Sequence, residues 1–185
     1  MFEVARSEYA IFLNGGYGVG KSATLEHVGD LLAQAGRPFS LMDVDWFHRS
    51  WPPAEQDNAL LEADNIAAVW KRYRTAGPRQ LVMCGVISTE AARDRYEAAV
   101  GCPVRPVRLT ADAHVTRRRL RGRYSASQQP ALDWHLKRWD EIAARLEAAD
   151  LDECSIDTTA LAPHAVAERI LRHFGLGSMP NASNG

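Results

Sequence analysis

Residues 13–23 read Leu13-Asn14-Gly15-Gly16-Tyr17-Gly18-Val19-Gly20-Lys21-Ser22-Ala23. Glycines allow successive backbone N–H groups to converge on an anion, a lysine adds a point charge, and a hydroxyl in the next position can meet a divalent cation. The spacing Gly15-x4-Gly20-Lys21-Ser22 brings these three together around phosphate groups and Mg²⁺. At average glycine usage, chance produces the pattern in a chain of this size roughly once in a hundred.

Two further stretches carry chemistry. In LMDVDWFHRSWPP, residues 41–53, Asp43 and Asp45 lie two apart and share one side if strand geometry persists through them. One carboxylate beside Mg²⁺ and another against a hydroxyl is the arrangement phosphoryl transfer to an alcohol requires; two solvated acids in a turn are the plain alternative. Trp46, Phe47 and Trp51 form either a satellite core under a sheet or the wall of an acceptor pocket. His48 and Arg49 can hold a polar or anionic substituent of that acceptor, or be ordinary surface groups. In TRRRLRGRYSASQQ, residues 116–129, Arg117 and Arg121 are four apart and share a helical face, with Arg123 beyond Gly122, where the helix is expected to loosen. Such a cluster, brought in by a closing lid, neutralises developing phosphoryl charge; a solvated basic face able to bind RNA is the competing reading.

The elements that must position these residues follow from hydrophobic periodicity. Apolar runs predict strands over 9–13, 39–44, 80–87, 104–109 and 154–157. Helical spacing occupies the intervals: 22–35, 59–73 with Leu61, Ile66, Val69, Trp70 and Tyr73 on one face, 89–100, a helix capped by Asp112 and running through Arg121, 132–148, and one opened by Pro163. Five strands alternating with helices predict a three-layer α/β fold around a doubly wound parallel sheet, with ligands at the carboxyl ends of the strands.

A length of 185 residues with 46% hydrophobic content fits a single domain, taken as 1–175, with a lid segment around 112–130 and a flexible tail over 176–185. A formal net charge of −1 gives no general attraction to nucleic acid or acidic membrane, which favours small-molecule partners. Cys84, Cys102 and Cys154 form no CxxC pair and read as buried thiols of a reducing, cytoplasmic compartment. No apolar run approaches membrane-spanning length.

The double glycine at Gly15-Gly16, the Val44-Asp45-aromatic stretch after the second strand, the Arg117-x3-Arg121 element and SIDTT (155–159) before a proline-started helix together resemble the P-loop small-molecule kinases. Within these the chain is most similar to the chloramphenicol phosphotransferase-like branch, with shikimate, gluconate and adenylylsulfate kinases as cousins. The resemblance implies that Gly15, Gly16, Gly18, Val19, Gly20, Lys21, Ser22 and Ala23 cradle the phosphates of ATP, with Ser22 and Asp43 on Mg²⁺. It implies Asp45 as base, Arg117 near the adenine, Arg121 and Arg123 on phosphates beside Lys21, and Thr158 and Thr159 framing the adenine. Asp45, Trp46, Phe47, Arg49 and Trp51 would meet the acceptor. There are departures: strand three, LVMCGVIST, lacks the usual terminal acid, leaving the metal to Asp43, Asp45 or Glu90, and Tyr17 replaces a small loop residue. The expected activity is ATP- and Mg²⁺-dependent phosphorylation of a hydroxyl on a small ring-containing molecule, an antibiotic being one such. Alternatives are a nucleoside or nucleotide kinase and a nucleotide-binding switch without an acceptor.

Overall fold

The computed structural model describes residues 8–52 and 58–177. Strand β1, Ala10–Asn14, is buried along its whole length, and because successive strand side chains alternate, it feeds two cores at once. Ile11 and Leu13 face one side, where α1 (Lys21–Gln34) contributes Leu25, Val28 and Leu32, and α6 (Pro163–His173) contributes Val166, Ile170 and Leu171. Ala10 and Phe12 face the other, where α2 (Asn58–Arg74) supplies Ile66 and Trp70, and α3 (Glu90–Val100) supplies Tyr96 and Val100.

Beside β1 lie β3 (Gln80–Gly85) and β4 (Val104–Thr110); β2 (Phe39–Asp43) and β5 (Cys154–Asp157) form the edges, giving the order β2-β3-β1-β4-β5, all parallel. After β1 the chain leaves toward β2, and after β3 it leaves in the opposite direction toward β4. The crevice at the carboxyl ends of β1 and β3 is therefore the topological switch point. The expected doubly wound five-stranded sheet is the observed one.

Several boundaries differ from the sequence expectation. Strand β2 stops at Asp43, and Val44–Trp46 form a 3₁₀ turn in which the Asp45 amide donates to Asp43 Oδ1 at 3.3 Å. The two acids thus belong to a strand end and a turn, not to one continuous strand. On α2 the buried face carries Glu62, Ala63, Ile66 and Trp70, while Tyr73 is exposed. Helix α4 (Ala113–Arg123) runs through Gly122, and α5 (Gln129–Ala149) begins after a 3₁₀ turn at Ala126–Gln128. Leu176, placed in the tail by sequence, is buried in the first core; the remaining tail from 178 lies outside the described residues. Among the described residues no helix is long and apolar enough to cross a membrane.

Candidate active site

The loop between β1 and α1 is fastened at its start. Asn14, fully buried, donates through Nδ2 to the Ile87 carbonyl at 2.9 Å and to Asp152 Oδ1 at 2.8 Å, and its Oδ1 accepts from the Ile87 amide at 2.8 Å. It thereby ties the loop's root to the segment after β3 and to the one before β5. Burial pushes the Asp152 carboxyl up, and the Asn14 bond works against that shift. The next residues approach their neighbours too closely for side chains. A Cβ on Gly15, at φ +154°, would stand 2.6 Å from the Leu109 carbonyl oxygen, and one on Gly18, at φ +78°, 2.8 Å from that of Thr116.

Gly20 caps α1 in the left-handed conformation with no side-chain acceptor. The first helical bond is donated by the Thr24 amide to Gly20, so the amides of Lys21, Ser22 and Ala23 have no partner within the helix. Unpartnered amides at a helix N-terminus, with a lysine among them, form a donor set suited to a polyphosphate. Lys21 Nζ folds back over the loop and donates to the carbonyls of Gly15 and Gly16, each at 2.8 Å. Burial lowers its pKa; nearby Cys84, Asp45 and Asp43 oppose the shift, and Arg123 adds to it. Asp43 and Asp45 at the end of β2 and Arg123 at the end of α4 thus lie within electrostatic range of Lys21.

Ser22 Oγ donates to Asp43 Oδ2 at 2.7 Å. A hydroxyl and a carboxylate so placed, beside open amides, offer the oxygen ligands a hard divalent cation takes. Strand pairing puts Asp43 level with Cys84, the penultimate residue of β3, whose thiol is pushed well up by burial and then by Asp43. A carboxylate thus stands at the end of the strand adjacent to β3, level with Cys84. Asp45, two residues beyond Asp43, is exposed.

The aromatic residues that follow separate. Phe47 packs against the second core, whereas Trp46 and Trp51 are 66% and 92% exposed, with the Arg49 guanidinium 4.8 Å from the Trp46 ring centre. Tyr17 leaves the phosphate loop toward α5, its ring 4.6 Å from that of His135 and 5.9 Å from that of Trp134. Burial, and secondarily Asp45, raises its hydroxyl pKa.

No family model matches the chain, and no curated protein sequence is significantly similar to it. Solved structures do match. A tunicamycin resistance protein from Deinococcus radiodurans superposes with a TM-score of 0.64 at 21% identity, covering 95% of this chain and 99% of its own. A sugar kinase from Janibacter sp. gives 0.61 at 20% identity, covering 92% and 96%. A gluconokinase from Sinorhizobium meliloti gives 0.59 at 19% identity, covering 92% and 93%. The fold is the one these three proteins share.

In this fold, the helix after β4 carries an arginine that the sequence pattern did not single out. Arg119 donates to the Thr158 carbonyl at 2.9 Å, to Thr158 Oγ1 at 3.2 Å and to the Gly18 carbonyl at 3.5 Å. Thr158 is itself buried, its hydroxyl within bonding distance of the Val19 and Thr110 carbonyls. Arg117 instead points along α5, 3.5 Å from Asp140 and 5.5 Å from the Trp139 ring centre. Arg121 is exposed, and Arg123 lies over Tyr124 within the electrostatic reach of Lys21. The signal that identifies Arg119 is the pair Thr116 and Leu120, one turn apart and both buried. They fix the inward stripe of α4, and Arg119 lies on its edge, three residues from one and adjacent to the other.

Proposed function

We propose that the protein is an ATP- and Mg²⁺-dependent phosphotransferase acting on a hydroxyl of a small molecule. The observation that carries this reading is the 2.7 Å bond from Ser22 to Asp43, with Asp45 in the following turn and both carboxylates within the field of Lys21. A switch ATPase has no evident use for a second, exposed acid there.

The open amides of Lys21, Ser22 and Ala23 hold the phosphate chain, and Lys21 exchanges the Gly15 and Gly16 carbonyls for phosphate oxygens. Ser22 and Asp43 would hold Mg²⁺, which would supply neutralisation of the phosphate charge. Asp45 aligns the acceptor hydroxyl and takes its proton as the oxygen bonds to the γ-phosphorus and the bond to the ADP oxygen breaks. Helix α4 and the turn after it act as the lid. Arg123 and Arg121 reach the transferring group from that side, while Arg119 and Thr158 frame the adenine end. The kinase assignment draws support from the sugar kinase and gluconokinase among the structural neighbours.

The test is ADP release by the purified protein with Mg²⁺-ATP and a panel of sugars, sugar acids, polyols, phenols and nucleosides. At least one compound should raise the rate well above the acceptor-free background and yield a phosphate ester. A background that no compound alters, accompanied by steady hydrolysis, supports the switch instead.

A further inference from the structure

Three residues after Asp45 in the same turn stands His48, and its ring is held from behind. Its Nδ1 lies 2.6 Å from Oε2 of Glu62 on α2, and the other carboxylate oxygen accepts from the Tyr96 hydroxyl of α3. Glu62 is only 7% exposed, so its charge is compensated by these two partners rather than by water. Burial, and then the carboxylate itself, keeps the Tyr96 hydroxyl protonated and hence a donor. The turn is pinned a second time, where Asn65 Nδ2 of α2 donates to the Phe47 carbonyl at 2.6 Å. A carboxylate sunk into the core to grip one edge of a half-exposed imidazole is a costly way to fix a surface loop, since Asn65 already does so. Its added effect is to set the orientation of the ring.

With Nδ1 turned to Glu62, the free edge of the imidazole is Nε2, which has no hydrogen-bond partner among the described residues. Val44–Trp46 form a 3₁₀ turn, and Phe47 continues it with helical angles, φ −82° and ψ −9°. Side chains three apart in that geometry eclipse, about 6 Å along the axis, so Asp45 and His48 emerge on one side. We propose that His48, oriented by Glu62 and Tyr96, is a second acceptor-binding residue, and that the acceptor is polyhydroxylated, with one hydroxyl at Asp45 and another at His48 Nε2. A hydroxyl is the group that satisfies Nε2 in either state, donating to the neutral ring and accepting from the cation. Glu62 is the positioning residue of the pair. This inference rests on the phosphotransferase reading and adds the class of its acceptor.

The experiment compares each compound that raises ADP release with its analogue lacking one hydroxyl, such as D-glucose, D-ribose and myo-inositol against their deoxy forms, in wild type, His48→Ala, His48→Gln and Glu62→Gln. Thermal melting and Mg²⁺-ATP affinity confirm that each variant is folded. For a polyhydroxylated acceptor, His48→Ala should raise the acceptor KM roughly five- to fifty-fold, the scale of one lost hydrogen bond. The matching deoxy compound should lose the same factor in wild type and nothing further in the variant. His48→Gln, which keeps a polar end, should recover part of the loss. Glu62→Gln should raise the acceptor KM alone but add nothing on top of His48→Ala, the mark of a residue acting through the ring. An unchanged acceptor KM in His48→Ala, or a best acceptor with a single hydroxyl, overturns the inference while leaving the phosphotransferase standing. If no compound on the panel raises ADP release, both fall together.

Discussion

Arg119 and Thr158 are joined twice, one guanidinium nitrogen meeting the threonine carbonyl at 2.9 Å and the other its hydroxyl at 3.2 Å. The pair links α4 to the segment after β5, and through Gly18 to the phosphate loop. Arg119→Ala should therefore raise the KM for ATP about tenfold, in keeping with loss of charged hydrogen bonds. Arg117→Ala, which breaks an exposed pair with Asp140, should change it less than twofold on the scale of surface ion pairs. Equal effects in the two variants would remove Arg119 from the nucleotide side.

The two acids of the β2 turn should separate by kinetics. Asp45→Asn keeps the shape of the side chain but not its proton affinity, and transfer should fall by on the order of 10²–10⁴-fold with Mg²⁺-ATP affinity nearly intact. Asp43→Asn weakens an oxygen ligand and should reduce Mg²⁺-ATP affinity together with turnover. Titrating Mg²⁺ at fixed ATP for both variants distinguishes the roles, and identical profiles would contradict the division of labour.

Much of this arrangement was legible beforehand, and the exceptions have local causes. The five strands are readable because each is a short apolar run between turn signals, and the glycine loop opening into α1 because its glycines, Lys21 and Ser22 fall within eight residues. The end of β2 was misplaced by one residue because Asp43 bends back to take the Asp45 amide, a side-chain bond that competes with strand continuation. Arg119 was hidden in a run of arginines whose orientation is set by the buried Thr116 and Leu120. Glu62 was illegible for a different reason: its partners are 14 and 34 residues away, and an acid on a helix ordinarily faces water.

Gly15→Ala should destabilise the fold by about 1–3 kcal/mol, because the added carbon meets a backbone oxygen of β4 at 2.6 Å and β4 is paired on both sides. Gly36→Ala, also at positive φ but with nothing within 4 Å, should lose only the left-handed backbone cost, about 1 kcal/mol at its lower end. Urea unfolding of the two variants checks the ordering, and a reversal would mean that the loop's tight approach to β4 is absent in solution.

Acid stability should depend on Glu153. Its hydrogen bond from Arg105, aided by His173, holds the carboxyl below the ordinary value of 4.5. The ionised form is therefore favoured by folding, and the contribution is fully present above about pH 4.5 and is lost as pH falls through the lower folded-state value. Glu153→Gln should flatten the decline in melting temperature between about pH 5 and pH 3 relative to wild type. A parallel decline in both proteins would assign the acid sensitivity elsewhere.

The short turn after β2 carries Asp43 at its cap and Asp45 inside it, and α2 grips the same turn at Phe47 and His48. Only Val44 separates the carboxylate that accepts from Ser22 from the one proposed to meet an acceptor, which makes the turn a lever whose long arm is α2. A load placed on the far end of that lever tilts the near end. On the phosphotransferase reading, an occupant beside His48 would then alter the grip on a cation beside Ser22, and by reciprocity the cation would alter the hold on that occupant. Cooperativity between metal and acceptor would in this sense belong to one turn and would need no movement of α4.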